Sequence, residues 1–305
     1  MKLSLSTNWC NRQTDDGQAI AEKALALGFD ELELGFHTTV AQVPGFKKML
    51  DRIPIGSIHA FCPVPISAPQ GYPELYALAS FDADQRALAR FHIAKNIEFA
   101  AEMGADTVVL HAGRVGFATF FNRLFSSGTL RACREKAKDG VKDAAYQKLL
   151  ARARKTRTAR GAKLLPVFTA ELEALVPVLE RHHVTLALEN LPYLEGFPDE
   201  SELQALVAHF GSAPVRGWFD TGHHRVRESF GWLAAAETAE GLFRGMHLND
   251  VVDFDDDHLA PGDGKVDFAA LRGLAHGVRH VVFEPKAHVD EEHLRKGLEL
   301  IRSIW

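Results

Sequence analysis

Cysteine is scarce in this chain: three residues among 305, at positions 10, 62 and 133. An odd number at such wide spacing makes neither a disulfide framework nor a cysteine zinc site, and it points to a reducing, cytoplasmic setting. No run of 18 apolar residues occurs, so no membrane-spanning helix is expected. The opening Met1-Lys2-Leu3-Ser4-Leu5-Ser6 lacks the apolar core and small-residue cleavage site of a secretory leader and reads as a first strand. A surplus of positive charge is also missing. Lys and Arg number 35 against 40 Asp and Glu, and the net charge of −5 gives no global drive toward nucleic acid or anionic membranes. With 46% hydrophobic residues, there is ample material for a core, which excludes wholesale disorder.

What the chain does contain is a rhythm. Eight short apolar runs recur: Leu3–Trp9, Glu31–Phe36, Ser57–Cys62, Thr107–His111, Val184–Asn190, Val215–Asp220, Phe243–Asn249 and His280–Glu284. Runs of this length, apolar on both faces, suit buried parallel strands. Helical patterns fall between them, at Gly17–Leu27, Asp82–Met103, Thr169–Arg181, Glu200–His209, Glu228–Ala239, Asp267–Leu274 and Asp290–Ile304, with Thr169 read as the start of its helix. Eight βα units in a chain of this size predict a closed (β/α)8 TIM barrel, one domain over residues 1–305. An open doubly wound sheet would carry a Gly-rich turn after its first strand. Trp9-Cys10-Asn11-Arg12 stands there instead.

One stretch breaks the rhythm. Residues 114–163, an insertion after strand four, hold fourteen basic residues against three acidic ones. Such an excess suits either a phosphorylated ligand or nucleic acid, or else a solvated amphipathic helix with a contact to a second copy in a homo-oligomer. The second reading is preferred, because charge runs are usually solvated faces and no aromatics interleave after Tyr146.

In barrels of this kind the C-terminal strand ends carry function. Strands three to eight end at His59, His111, Glu189, Asp220, His247 and Glu284. Any one of them alone reads as structural. Together they place imidazoles and carboxylates in one crater, where uncompensated carboxylates would repel one another and a divalent cation would relieve the repulsion. Mixed oxygen and imidazole ligands suit Zn²⁺, Mn²⁺, Co²⁺ or Mg²⁺. His223, three residues after Asp220, can face the same crater. So can Asp256 and His258, two apart in an acidic loop whose spacing does not fit an EF-hand.

The motifs Leu188-Glu189-Asn190, Phe219-Asp220-Thr221-Gly222-His223, His247-Leu248-Asn249-Asp250, Asp256-Asp257-His258 with Pro261-Gly262-Asp263-Gly264, and Phe283-Glu284-Pro285 resemble the xylose isomerase-like TIM-barrel superfamily. The resemblance runs from strand one to strand eight and is densest over 184–286. It implies a metal-dependent isomerase or epimerase acting on a sugar, polyol or related hydroxycarbonyl compound. By likeness to ketose epimerases, Glu189, Asp220, His247 and Glu284 would hold one metal, and the two Glu would act as the acid/base pair. His223 and Glu195 would meet substrate, Lys286 would help orient its oxygens, and Trp9, Phe61, Tyr193 and Phe197 would cover a ring face. Asp253 stands where the epimerase pattern has an Arg. By likeness to endonuclease IV, His59, His111, Glu189, Asp220, His223, His247, Asp256, His258 and Glu284 match a three-zinc ligand set. The alternative is therefore a multi-zinc phosphodiesterase acting on abasic DNA. The apolar loop Pro63–Pro69 and the acidic run at 253–257 argue against a DNA partner.

Overall fold

The computed structural model describes residues 1–116, 132–233, 241–255 and 258–305. Eight parallel strands close into a barrel. They are β1 (Ser4–Ser6), β2 (Glu31–Leu34), β3 (Ile55–His59), β4 (Thr107–Leu110), β6 (Thr185–Glu189), β8 (Val215–Asp220), β9 (Phe243–Leu248) and β10 (His280–Phe283). They follow one another around the ring, and β1 pairs with β10 to close it. All eight expected strands are present. The first is shorter than expected, because Thr7–Trp9 turns into a single 3-10 turn. Two further strands of two residues each, β5 (Gly113–Arg114) and β7 (Gly196–Phe197), pair antiparallel and tie the loop after β4 to the loop after β6.

The barrel interior is filled rather than hollow. Val109, Ala187, Trp218 and Val282 form a buried cluster across four strands. The Trp218 ring needs space from its neighbour β9, and Gly245 provides it: a Cβ there would stand 2.2 Å from the indole. A larger shell of apolar residues joins the outer strand faces to the helices. Among the described residues, no helix is long and apolar enough to cross a membrane. The three cysteines are buried and unpaired, in keeping with the sequence reading.

Helices follow the strands: α1 (Gly17–Leu27), α2 (Val43–Met49), α3 (Ala83–Glu102), α4 (Ala144–His182), α5 (Glu200–Phe210), α6 (Thr221–Phe230), α7 (Arg272–Gly277) and α8 (Glu291–Ile304). Residues 132–138 are also helical. Several sequence boundaries need correction. Thr169 does not start a helix; it lies inside α4, where its hydroxyl donates to the Leu165 carbonyl at 2.8 Å. The helix expected at Glu228–Ala239 instead runs from Thr221 and stops at Gly231, whose φ of 70° ends it in the left-handed conformation. Residues 234–240 lie outside the described part. The helix expected from Asp267 begins at Arg272.

The basic segment resolves into two parts. Residues 117–131 lie outside the description, and from 144 onward the chain is the N-terminal half of the 39-residue α4. A single stripe, Tyr146, Leu150, Ala153, Arg157, Gly161, Leu164, Phe168, Leu172, Leu175 and Leu179, is buried along its length. Spacings of three and four keep that stripe on one face. Part of the basic segment is tied down locally. Arg114 grips Glu74 through Nε and Nη2, both at 2.8 Å. Arg157 meets Glu202 and Asp199, Lys138 pairs with Asp255, and Arg154 donates to the Gly231 carbonyl.

Candidate metal centre

Each parallel strand delivers the side chain at its C-terminal end to one mouth of the barrel. Glu189 and Asp220 are the last residues of β6 and β8, and His59 is the last of β3. His247 lies one residue before the end of β9, while His111 and Glu284 lie just beyond β4 and β10. Register fixes the neighbours: Asp220 pairs with His247, and His247 with Val282. All six side chains are buried, His111 being the most exposed at 8%.

Two groups of ligand atoms converge, with Glu189 common to both. Glu189, Asp220, His247 and Glu284 bring one atom each within 4.8 Å of one another, and so do His59, His111 and Glu189. In the first group, His247 Nδ1 lies 3.3 Å from Glu189 Oε1, 3.2 Å from Glu284 Oε2 and 3.8 Å from Asp220 Oδ2. In the second, His59 Nε2 and His111 Nε2 are each 3.2 Å from Glu189 Oε2. That carboxylate oxygen nevertheless accepts no well-formed hydrogen bond. Ligand atoms around a tetrahedral zinc with bonds of about 2.0–2.1 Å stand about 3.3 Å apart. The donor set, its spacing and the unsatisfied buried oxygen all fit a divalent metal.

The histidines are oriented from behind. His59 Nδ1 faces the Ala60 carbonyl at 2.9 Å, His223 Nδ1 the Asn190 carbonyl at 2.8 Å, and His258 Nδ1 the Glu284 carbonyl at 2.8 Å. A carbonyl only accepts, so each Nδ1 carries a proton, and in the neutral ring Nε2 keeps its lone pair. His247 is turned the other way. Its Nε2 lies 3.1 Å from both oxygens of Glu33, on β2.

Charges inside the cluster compensate one another. Burial would raise the Glu189 carboxyl, but His111 and His247 outweigh burial and hold it well below its ordinary range. Burial would lower His247, yet Glu284, Glu33 and Glu189 lift it well above its usual value. Asp220 is pushed up by burial, assisted by the Glu189 charge.

Above the cluster opens a cavity of about 540 Å³, lined by His59, His111, His223, His258, Glu284 and Lys286 among others. That volume lies within the range of small-molecule sites. Glu284 reaches the cavity, whereas Glu189, with a side chain 0% exposed, lies beneath it. Tyr193 lines the wall, with the Arg114 guanidinium 3.7 Å from its ring centre. Trp9, Phe61, Phe197 and Glu195 are not in the lining. Trp9 is buried and donates its indole N–H to the Val289 carbonyl at 2.6 Å. Glu195 lies 4.0 Å from Arg134. Asp256 falls outside the described residues.

Sequence reasoning passed over Glu33, Asn8, Arg12 and His37. Asn8 donates to Glu284 Oε1 at 3.2 Å, while Arg12 and His37 stand in the cavity wall. Burial, assisted by Arg12, pushes His37 down to about 4. Asn8 lies near the end of the first apolar run, where the strand-end rule could have found it, whereas Glu33 lies three residues before the end of the second. The Pro-Gly-Asp-Gly motif proves to be scaffolding. Asp250 Oδ2 accepts the backbone N–H groups of Gly262 and Gly264, and Oδ1 accepts those of Val251 and Val266. The loop carrying His258 folds around that carboxylate. In the acidic run, Asp253 pairs with Lys265 at 2.8 Å and Asp255 with Lys138, so part of its charge is neutralised.

A parallel barrel with carboxylates and imidazoles converging at its C-terminal mouth defines a class of TIM barrels whose mouth could hold a metal. Within that class, the profile of the xylose isomerase-like TIM barrel family matches residues 21–304, and the chain belongs to that family. No curated protein matches it. Among solved structures, a D-tagatose 3-epimerase-like protein is similar at 20% identity, with 99% of each chain covered and a TM-score of 0.62. The 3-keto-D-glucoside 4-epimerase of E. coli is similar at 16% identity, again over 99% of each chain, with a TM-score of 0.64. The TTHB071 protein from Thermus thermophilus, soaked with ZnCl2, is similar at 19% identity, over 100% of this chain and 98% of that one, with a TM-score of 0.58.

Proposed function

We propose that this protein is a divalent-metal-dependent isomerase or epimerase acting on a sugar, polyol or related hydroxycarbonyl compound. The observation that carries the reading is the convergence of Glu189, Asp220, His247 and Glu284 at the floor of a cavity of small-molecule size. These four residues would hold the metal. When bound, a divalent cation supplies Lewis-acid polarisation of a carbonyl and its neighbouring hydroxyl. The sugar epimerases among the similar structures agree with this substrate class.

The chain's own groups divide the remaining work. Of the four candidate ligands, Glu284 is the one that lines the cavity, and Asn8 donates to its Oε1. It is therefore the group placed to take a proton from substrate carbon. Glu189, sealed beneath, serves the ligand set and reaches substrate only through it. His223, with its Nδ1–H committed to Asn190, turns Nε2 toward the substrate space. Lys286 and Arg12 stand in the wall, where their cationic heads orient substrate oxygens. Tyr193 offers a ring face in the same wall.

A second reading has its own observation. His59, His111 and Glu189 could hold a further divalent metal, and several metals would supply the Lewis-acid activation of water that a multi-zinc phosphodiesterase acting on abasic DNA uses. Metal content of protein purified without chelators, followed by a sugar and polyol screen and an abasic-site cleavage assay, separates the two. Turnover of a hydroxycarbonyl compound that Glu284→Gln abolishes supports the isomerase reading. Two or three zinc per chain with abasic-site cleavage overturns it. Metal content unchanged in both Glu189→Gln and Glu284→Gln removes the metal-centre assignment altogether.

A further inference from the structure

We infer that Glu33 is the positioning residue that fixes the tautomer of His247 and so presents its Nδ1 to the metal centre; the inference rests on the metal-centre reading above. Glu33 lies on β2, which contributes no member to either ligand group. It is 0% exposed. An ionised carboxylate in that position is costly unless it is paired and hydrogen-bonded. Its partners are few and specific: both oxygens lie 3.1 Å from His247 Nε2, and Ser57 Oγ donates to Oε2 at 2.8 Å.

The need for Glu33 comes from the packing of the ring. His247 stacks on His59 with planes 4° apart and centroids 5.7 Å apart, and it meets Trp218 edge-on at 5.0 Å. Those contacts fix the plane of the imidazole but do not choose which nitrogen carries the proton. His59, His223 and His258 have that choice made by backbone carbonyls at Nδ1. Among the described residues no such carbonyl meets His247, and it is the histidine that must offer Nδ1, the nitrogen facing Glu189 and Glu284. Glu33 makes the choice from the opposite edge. By accepting the Nε2–H it leaves the Nδ1 lone pair for the metal, and its negative charge strengthens that lone pair as a donor.

The test uses the full chain with Zn²⁺ as the probe. Glu33→Ala removes the acceptor, while Glu33→Gln keeps an acceptor oxygen of the same reach and loses the charge. Zinc affinity measured by competition with a chromophoric chelator is expected to fall about 10–100-fold in Glu33→Ala, the cost typical of losing an outer partner of a ligand histidine. Glu33→Gln is expected to recover part of that loss. Proton–nitrogen correlation spectra of ¹⁵N-histidine-labelled, zinc-loaded wild type should show His247 protonated at Nε2. Should Glu33→Ala not fold, the Gln variant and the wild-type spectrum carry the test. Unchanged zinc affinity in a folded Glu33→Ala, or a wild-type His247 protonated at Nδ1, overturns the inference. If wild type binds no zinc, the metal-centre reading fails. The spectrum of the metal-free protein at alkaline pH then decides on Glu33: an Nε2–H signal lost in Glu33→Ala upholds its role, and a signal that persists refutes it.

Discussion

Asp106 sits at the far end of the barrel from the metal centre, just before β4. It accepts from His280 Nε2 at 2.7 Å and from Thr107 Oγ1 at 2.8 Å, and lies 3.1 Å from Arg244 and 3.2 Å from Arg279. Burial would raise its carboxyl, but His280 and Thr107 with Arg244 hold it far below the usual carboxylate range. A depressed carboxyl stabilises the fold at pH above its unfolded value, near 3.8, and loses that contribution as pH falls toward its native value. Asp106→Asn is therefore expected to lower the melting temperature at pH 7, with the gap to wild type shrinking as pH falls below 3.8. Thermal melts across that range check it; a gap independent of pH would refute the account. At this scale the sequence was informative about residues that end strands and silent about those that support them. Glu33 was read simply as part of the short run Glu31–Phe36, whose sequence alternates Glu31-Leu32-Glu33-Leu34. Nothing in that alternation says that Glu31 reaches Lys2 at one end of the barrel while Glu33 turns inward under His247.

Among the elements, α4 departs most from expectation. Pro166 and Pro177 lie inside it, and each removes a backbone donor at a cost of about 3 kcal/mol in a helix interior. Read from sequence, it splits into an amphipathic helix within 114–163 and a separate helix from Thr169, because Thr169 with Glu171 and Glu173 resembles an N-terminal turn. The buried stripe of Leu and Phe outweighs the two interruptions. Its upper half is anchored by Arg157, which donates to both Glu202 oxygens at 2.6 Å and to the Gly196 carbonyl at 2.8 Å. Gly161 leaves the room for this: a Cβ there would stand 2.1 Å from Glu202 Oε1. Glu202 also closes the capping box of α5 with Asp199. Arg157→Ala strands the buried Glu202 carboxylate and the partly buried Asp199, and urea denaturation should show a loss of about 3–5 kcal/mol. A loss within about 0.5 kcal/mol, the range of ordinary surface changes, would mean that the pair contributes nothing net. The strands were easier to read than this helix, because their apolar runs are short, bounded and repeated eight times, and closure then follows from number alone.

For the molecule as a whole, the two ligand groups link β3, β4, β6, β8, β9 and β10 at one rim. An ion held there acts on the closed barrel and not on the unfolded chain. Free metal at a hundred times its Kd stabilises by about 2.7 kcal/mol. Stripping it with a chelator is then expected to lower Tm by on the order of 5 °C. Glu189→Gln, which reaches both groups, should melt at the same temperature with or without chelator; a chelator-sensitive Glu189→Gln would place the stabilising ion elsewhere.

The support of the histidines also bears on how this site can change over generations. Three rings are aimed by main-chain carbonyls, which no substitution deletes, so their orientation is inherited with the fold itself. His247 alone among these four is aimed by a side chain. One codon, that of Glu33, can retune it while every ligand stays in place. A lineage exploring new metals or substrates has there a change of small mutational distance, and variation at position 33 among natural sequences would mark where such exploration has taken place.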